Sequence, residues 1–141
     1  MKKYVFFDHT ADVLFEAYGK SLDELFTNAA LALQETQVML ATVSPKTKRA
    51  IALTNPKIDM LLFDFLQELI YLKDADELLF SKFKVNVSTE TNSFSLNADC
   101  WGEKINQKKH KLNVDAKAIT LHQFQIKKEK DTWIARVIVD I

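Results

Sequence analysis

The chain has few of the residues on which disulfide scaffolds, phosphate loops and membrane spans depend. Its 141 residues include one cysteine, two glycines and two prolines. A single thiol cannot form an internal disulfide or a cysteine-rich zinc cluster. No GxGxxG or GxxxxGK[ST] pattern occurs, which argues against the common nucleotide-binding loops. The longest apolar stretch, residues 60–72, is interrupted by Asp64, Gln67 and Glu68 and is therefore too polar to cross a bilayer.

The chain also lacks net charge, with 19 basic and 19 acidic residues. The composition therefore does not indicate binding to nucleic acid through an overall positive charge. A local basic cluster, which we expect to be a solvated loop, comprises Lys104, Lys108, Lys109, His110 and Lys111. The start of the chain has no apolar run long enough for a signal peptide, so we expect a cytoplasmic protein.

Length and composition predict one domain covering residues 1–141. Apolar residues make up 48% and charged residues 27%, which is typical of a globular chain with a real core. Cys100 alternates with Phe94, Leu96 and Ala98 on one face of a predicted strand. We therefore interpret its thiol as a small buried apolar group and not as a nucleophile.

Two amphipathic helices are predicted, over about 21–38 and about 59–73. In the first, Ser21 and Glu24 form an S-x-x-E capping box. Helical spacing follows for Leu22, Leu25 and further apolar residues. The second has so broad an apolar face that it is expected to lie on a sheet.

The remaining chain predicts strands: 13–18, 48–54, 79–88, 93–101, 116–127 and 132–141. The alternation in 116–127 slips near His122, which indicates a bulge. Residues 90–92 and 128–131 are predicted turns. The uneven order of helices and strands favours an α+β fold, with two helices on a mostly antiparallel or mixed sheet.

Carboxylates stand near both ends of the chain. Asp12 begins an early strand, and Asp140 precedes the carboxylate of Ile141 at the end of the last one. If the two strands share a rim of the sheet, three carboxylates converge there and repel one another unless a cation lies between them. The pattern is either coincidental or a site for a hard, oxygen-ligated metal ion.

An ordered set of short segments runs through the chain. They are 8–13 (DHTADV), 18–26 (YGKSLDELF), 28–30 (NAA), 64–71 (DFLQELIY), 102–103 (GE), 117–122 (KAITLH) and 139–141 (VDI). In this order the segments resemble those of the archease family. The resemblance covers essentially the whole length, and it departs modestly at Leu14-Phe15, Asp115-Ala116 and Leu121.

The resemblance implies a function that composition cannot show. Archeases are non-enzymatic protein cofactors of the GTP-dependent RNA ligase that joins 2′,3′-cyclic-phosphate or 3′-phosphate ends to 5′-hydroxyl ends in tRNA splicing. They promote guanylylation of the ligase, support its multiple turnover and can broaden its nucleotide use. The implied partner is therefore the ligase, and RNA is contacted indirectly through it.

The resemblance also implies a metal site. The family's acidic ligands match Asp12, Asp140 and the terminal carboxylate of Ile141, and the implied ion is calcium, with Mg²⁺ and Mn²⁺ as further candidates. His9 is expected beside the ligands and not among them. Asp8, His9, Lys117 and His122 are the expected partner contacts.

Two other functions are compatible with the same sequence. The same carboxylates suit a stand-alone metal-dependent phosphoesterase, although three scattered histidines are a poor set for generating a nucleophile. An RNA-binding or chaperone-like module is the third reading, and the neutral charge disfavours it.

Overall fold

The computed structural model describes residues 2–9 and 11–141; Met1, and Thr10 of the DHTADV segment, lie outside the described residues. A short 3₁₀ turn, Leu40–Thr42, follows the first helix. The elements in chain order are β1 Tyr4–Phe7, β2 Asp12–Gly19, α1 Leu22–Gln37, β3 Thr47–Asn55, α2 Ile58–Asp76, β4 Leu78–Glu90, β5 Ser93–Lys104, β6 Ala118–Glu129 and β7 Thr132–Asp140.

The strands form two antiparallel sheets. The four-stranded sheet has the order β1-β2-β7-β6, and the three-stranded sheet has the order β3-β5-β4. The last strand therefore lies between an early strand and its own hairpin partner. This pairing brings the two chain ends, more than a hundred residues apart in sequence, to neighbouring positions.

The helix α1 begins as its sequence predicts. The Ser21 hydroxyl accepts a hydrogen bond from the backbone N–H of Glu24 at 3.1 Å. The Glu24 carboxylate accepts from the backbone N–H of Lys20 at 3.1 Å, one residue earlier than a standard capping box. Both bonds satisfy amides near the first turn that the helix leaves unpaired.

Both helices pack against both sheets and against each other. The rings of Phe26 on α1 and Phe65 on α2 stack with centroids 6.4 Å apart. One core cluster includes Phe15 of β2 and Cys100 of β5. Cys100 is fully buried, and its burial raises the pKa of the thiol to about 12, as expected for an inert small apolar side chain. The α+β prediction is confirmed, with both helices packed on antiparallel sheets in a single compact domain.

Two details differ from the sequence prediction. The strand β1 was not predicted, because the segment Tyr4–Phe7 is apolar throughout and shows no alternation. The helix α2 extends to Asp76 and ends where Glu77 adopts a left-handed φ of 57°. No helix in the described residues is long and apolar enough to cross a membrane.

The change of side-chain alternation predicted for β6 is present in the structure. The register of β6 against β7 shifts between Thr120 and Gln125, and Gln123 has a φ of 55°. The parity change around His122 in the sequence is therefore a true bulge.

A glycine marks the second irregularity, where β4 and β5 lose register between Phe80 and Lys82. A Cβ on Gly102 would overlap the carbonyl oxygen of Leu79. We expect Gly102→Ala to lower the free energy of unfolding by about 2 kcal/mol or more, because backbone must move to admit the methyl group. The measurement is urea unfolding.

The matched control is Asn97→Ala on the same strand, where the side chain is exposed. It should change stability by less than about 0.5 kcal/mol. Equal stability of the two variants would contradict the close approach at Gly102.

Candidate metal centre

The register of the central strand pair places two carboxylates directly opposite each other. Asp12, the first residue of β2, pairs with Asp140, the last residue of β7. Directly paired residues point to the same face of a sheet, with Cβ atoms about 4.5–5.5 Å apart. The convergence that the sequence suggested as one alternative is therefore present at one rim of the four-stranded sheet.

This rim is acidic at its centre. Two like charges directly opposite each other destabilise an antiparallel pair, because each carboxylate lies in the field of the other. His9 Nδ1 lies 3.6 Å from Asp12 Oδ2, so the imidazole is next to this carboxylate. Asp140 is exposed at the strand end. A divalent cation bound between the carboxylates would replace the repulsion with attraction.

The chain end is held beside these carboxylates by packing. The side chain of Ile141 is partly buried against the main core. The backbone N–H of Lys117 donates to the carbonyl oxygen of Asp140 at 2.7 Å, and Ala118 of β6 pairs with Asp140. The acidic rim, here defined as Asp12, Asp140 and the carboxylate of Ile141, is thus set between β2 and the start of β6.

The helix α2 fixes the start of β6 from the other side. The Gln67 amide oxygen accepts from the backbone N–H of Ile119 at 2.6 Å. The buried ammonium of Lys73 donates to the carbonyl oxygen of Ala116 at 2.6 Å and pairs with Asp115. These contacts anchor the backbone on both sides of Lys117, so the rim rests on rigid elements.

The backbone entering the rim is strained. Ala11, immediately before Asp12, has a φ of 68°, a conformation that costs a residue with a Cβ about 1 kcal/mol or more. Such strain persists where the surrounding structure holds it, and it is concentrated at functional sites. Nothing in the sequence of the DHTADV segment signals this conformation.

The expected partner contacts divide into two groups. His9 and Lys117 lie at the acidic rim, and Asp8 is exposed in the segment that leads to it. His122 is exposed in the β6 bulge, further along the strand.

The oxygen atoms of the rim suit a hard cation, but they would fill only part of its coordination sphere. Among residues 2–9 and 11–141, no three His, Cys, Asp or Glu side chains are arranged as a metal site. The rim offers two aspartates and a main-chain carboxylate, all oxygen donors, which fits Ca²⁺ or Mg²⁺ and not zinc. With three protein ligands, most coordination positions would be left to water or to an exogenous oxygen ligand.

A polar cluster at the end of β5, the central strand of the other sheet, has no counterpart in the sequence prediction. Glu103 accepts hydrogen bonds from Lys109 Nζ at 2.6 Å, His110 Nε2 at 2.8 Å and the backbone N–H of Ser44 at 2.8 Å. The Asn106 N–H donates to His110 Nδ1 at 2.9 Å, so Nε2 carries the ring proton and donates to Glu103. The expectation of a fully solvated basic loop is therefore wrong at His110, which is 4% exposed.

These hydrogen bonds, the one from Lys109 foremost, lower the pKa of Glu103 to about 2. The cluster closes the long loop between β5 and β6 onto the sheet. The sequence carried no signal for it, because Glu103 and Ser44 are 59 positions apart.

Comparisons with known proteins agree on one family. Residues 4–141 match the Archease protein family. The archease of Methanosarcina barkeri is 42% identical over 141 residues, which cover 99% of this chain and 97% of that protein. The archease of Sulfurisphaera tokodaii is 36% identical over the full length of both chains.

Solved structures agree with the fold. The solution structure of protein 1598 from Methanobacterium thermoautotrophicum has a TM-score of 0.89 and 38% identity, and it covers both chains completely. The crystal structure of a Thermotoga maritima archease, described as a possible chaperone, has a TM-score of 0.64 over 96% of this chain and 94% of that one. Its 19% identity supports the fold alone.

The lowered pKa of Glu103 predicts a pH-dependent contribution to stability. A carboxyl whose pKa is about 2 in the folded state and ordinarily 4.5 stabilises the fold above pH 4.5. That stabilisation is lost as the pH falls from 4.5 to 2. At pH 7 we expect Glu103→Gln to lower the free energy of unfolding by about 2 kcal/mol, as for a hydrogen-bonded buried charge.

The measurement is urea unfolding of both proteins between pH 7 and pH 2. The difference in stability should shrink steadily below pH 4.5. The control is Glu129→Gln at an exposed position. Its difference in stability from the parent should not shrink below pH 4.5. A constant difference between the Glu103 variant and the parent would contradict the assignment.

Proposed function

This chain belongs to the archease family, and from that premise we propose that it is a non-enzymatic activator of a GTP-dependent RNA ligase that acts through a divalent cation at the acidic rim. The supporting observation is the direct pairing of Asp12 with Asp140 across β2 and β7. The activator promotes guanylylation and multiple turnover of the ligase in tRNA splicing, can broaden its nucleotide use, and works in the cytoplasm.

The residues of the rim would hold the metal and present it outward. Asp12, Asp140 and the carboxylate of Ile141 would be the protein ligands, with calcium the favoured ion. A cation bound so openly supplies positive charge for phosphate or carboxylate oxygens. The rim is exposed at Asp140 and fixed by the Lys117 and Ile141 contacts, so it is suited to insertion beside the nucleotide site of a partner.

The side chains around the rim would contact the ligase. His9 lies beside Asp12, and Lys117 adjoins the rim through the bond from its backbone N–H to the Asp140 carbonyl oxygen. Asp8 adds to the acidic field, and His122 extends the contact along β6. An activator of turnover must also dissociate, which favours a small, charged contact over a large apolar one.

The metal site predicts a change in thermal stability on adding calcium. The parent protein should gain about 2.7 kcal/mol at a Ca²⁺ concentration a hundredfold above the dissociation constant. Asp140→Asn should lose this gain. In the chelator EDTA, the same variant should be at least as stable as the parent, because a like-charge repulsion is removed. The measurement is thermal unfolding with and without Ca²⁺.

The matched control is Asp131→Asn, an exposed carboxylate at the far end of the β6–β7 hairpin. It should retain the full calcium response. An equal calcium response in the Asp140 variant and the parent would contradict a metal at the rim.

The activator role predicts a loss of ligase stimulation. We expect Asp12→Ala and Asp140→Ala to reduce stimulation of multiple-turnover ligation about tenfold or more, as is usual when a metal site is damaged. The assay supplies the ligase with RNA, GTP and divalent metal, with and without each variant. Asp131→Ala should stimulate as well as the parent.

Full stimulation by both rim variants would contradict this mechanism. The same assay run without the ligase separates the other readings. Metal-dependent phosphate-ester hydrolysis by the chain alone, abolished in the rim variants, would support the phosphoesterase in place of the activator.

A further inference from the structure

The outer face of the three-stranded sheet is not covered by any described element. Both helices lie against its inner face, where Ile51, Leu96 and Ala98 are buried. On the outer face, alternate residues of β3 and β4 are exposed. They are Lys48, Ala50, Ala52 and Thr54 on β3, and Lys82, Lys84, Asn86 and Ser88 on β4.

The first row of this face is an aromatic ring between two lysines. Trp101 of β5 pairs with Lys48 on one side and Lys82 on the other. Their ammonium nitrogens lie 5.9 Å and 4.8 Å from the ring centroid. Cations over a tryptophan are attracted by its ring quadrupole, so the row holds two positive charges around one flat apolar surface.

The next rows provide room and polar groups. Ala50 and Lys84 flank Asp99, whose carboxylate lies 3.7 Å from Lys48 Nζ. Because Ala50 and Ala52 are small, they leave a depression of about 170 Å³. The remaining polar side chains that line it are Lys84, Asn86, Asn97 and Asp99.

The positive charge continues past Trp101. The backbone N–H of Lys46 donates to the carbonyl oxygen of Gly102, the residue after Trp101. Lys46 also lines an adjoining cleft of about 690 Å³. The cleft is also lined by Glu103, Lys104, Asn106, Lys108 and Lys109. Over the sheet face and the cleft together, seven lysines accompany three carboxylates, which are Asp99, Glu103 and, at the far end of β4, Glu90. The neutral net charge of the chain conceals this local excess.

We propose that this surface, the lysine–tryptophan face (Lys46, Lys48, Lys82, Lys84, Trp101 and the adjoining cleft), binds single-stranded nucleic acid. Lysines arranged along a shallow sheet suit successive phosphates, and an aromatic ring between them suits an unpaired base. The amides of Asn86 and Asn97 can donate to and accept from base edges. A duplex keeps its bases stacked internally, so it would not use the ring.

The other sheet contains a similar lysine–tryptophan pair in a different setting. Lys128 Nζ lies 5.2 Å from the ring centroid of Trp133, so the same pairing of lysine and tryptophan occurs there. Its surroundings differ, because Glu129 and Asp131 lie beside it in the β6–β7 hairpin. Binding that depends on the whole lysine–tryptophan face should not involve this second pair.

The test uses the two tryptophans of the chain as reporters. In a Trp133→Phe background, Trp101 is the only tryptophan and can be excited selectively over the tyrosines. It is titrated with oligouridylate of about 12 nucleotides, within the span of one single-strand-binding surface. We expect quenching, and a decrease of log K with log salt of slope about −3 for some four phosphate contacts.

Paired variants locate the site. Lys82→Gln with Lys84→Gln should weaken binding about tenfold, from the loss of two phosphate contacts. Lys127→Gln with Lys128→Gln removes the same charge from the other sheet and should leave affinity within about twofold. Thermal unfolding confirms that both proteins are folded. Oligodeoxythymidylate in parallel shows whether RNA or DNA is preferred, and quenching by either supports the proposal.

Three results would overturn it: no quenching at low salt, equal weakening in the two paired variants, or inorganic polyphosphate binding as tightly and quenching as strongly as the oligonucleotide. The last would reduce the face to a general anion site. The assay contains no ligase and the variants leave the acidic rim intact. Its failure would therefore not bear on the ligase proposal, nor would the failure of that proposal bear on the face.

Discussion

The pairing of β2 with β7 is the constraint on which the rest of the molecule depends. It joins an early strand to the last one and makes them the two central strands of their sheet, with β1 and β6 at the edges. The helix α1 leaves β2 directly through Gly19, where a Cβ would overlap the backbone of Leu25. The same register that buries Phe15 and Val137 toward the helices sets Asp12 against Asp140 on the opposite face. Core packing and the charged rim therefore follow from one alignment, and a slip of one residue would disrupt both.

The two helices are shared by both sheets, and this arrangement leaves the outer sheet surfaces available for function. The carboxylates of the candidate metal centre belong to the four-stranded sheet, and the excess of lysine belongs to the three-stranded sheet. A formal net charge of zero therefore does not mean that every surface of the chain is neutral. For an activator proposed to work beside a ligase and its RNA, one surface for a cation and another for a polyanion would be complementary, because neither neutralises the other.

Local signals in the sequence predicted much of the fold. The Ser21 and Glu24 pair marked the start of α1, and the change of alternation near His122 marked the bulge in β6, because each depends on neighbours a few residues apart. The sequence does not predict the strand Tyr4–Phe7, because an edge strand without alternation of apolar and polar residues has no periodic signature. His110 was placed with solvated lysines, since only the folded chain brings Glu103 and Ser44 together around it. The sequence indicated that Asp12 and Asp140 could lie at one rim of the sheet. Only the strand register pairs them directly.

By itself, the sequence determined the α+β class, both helices, most strands and the family, because periodicity, capping and ordered segments are properties of neighbouring residues. It also determined which oxygen ligands are available to a metal ion. Only the tertiary structure decided that Asp12 faces Asp140, that Ala11 is strained beside them, and that lysines of β3 and β4 flank Trp101. The physical reason is that strand register and sheet order are set by burial of side chains distant in sequence, so the groups that share a face are chosen by the core beneath them.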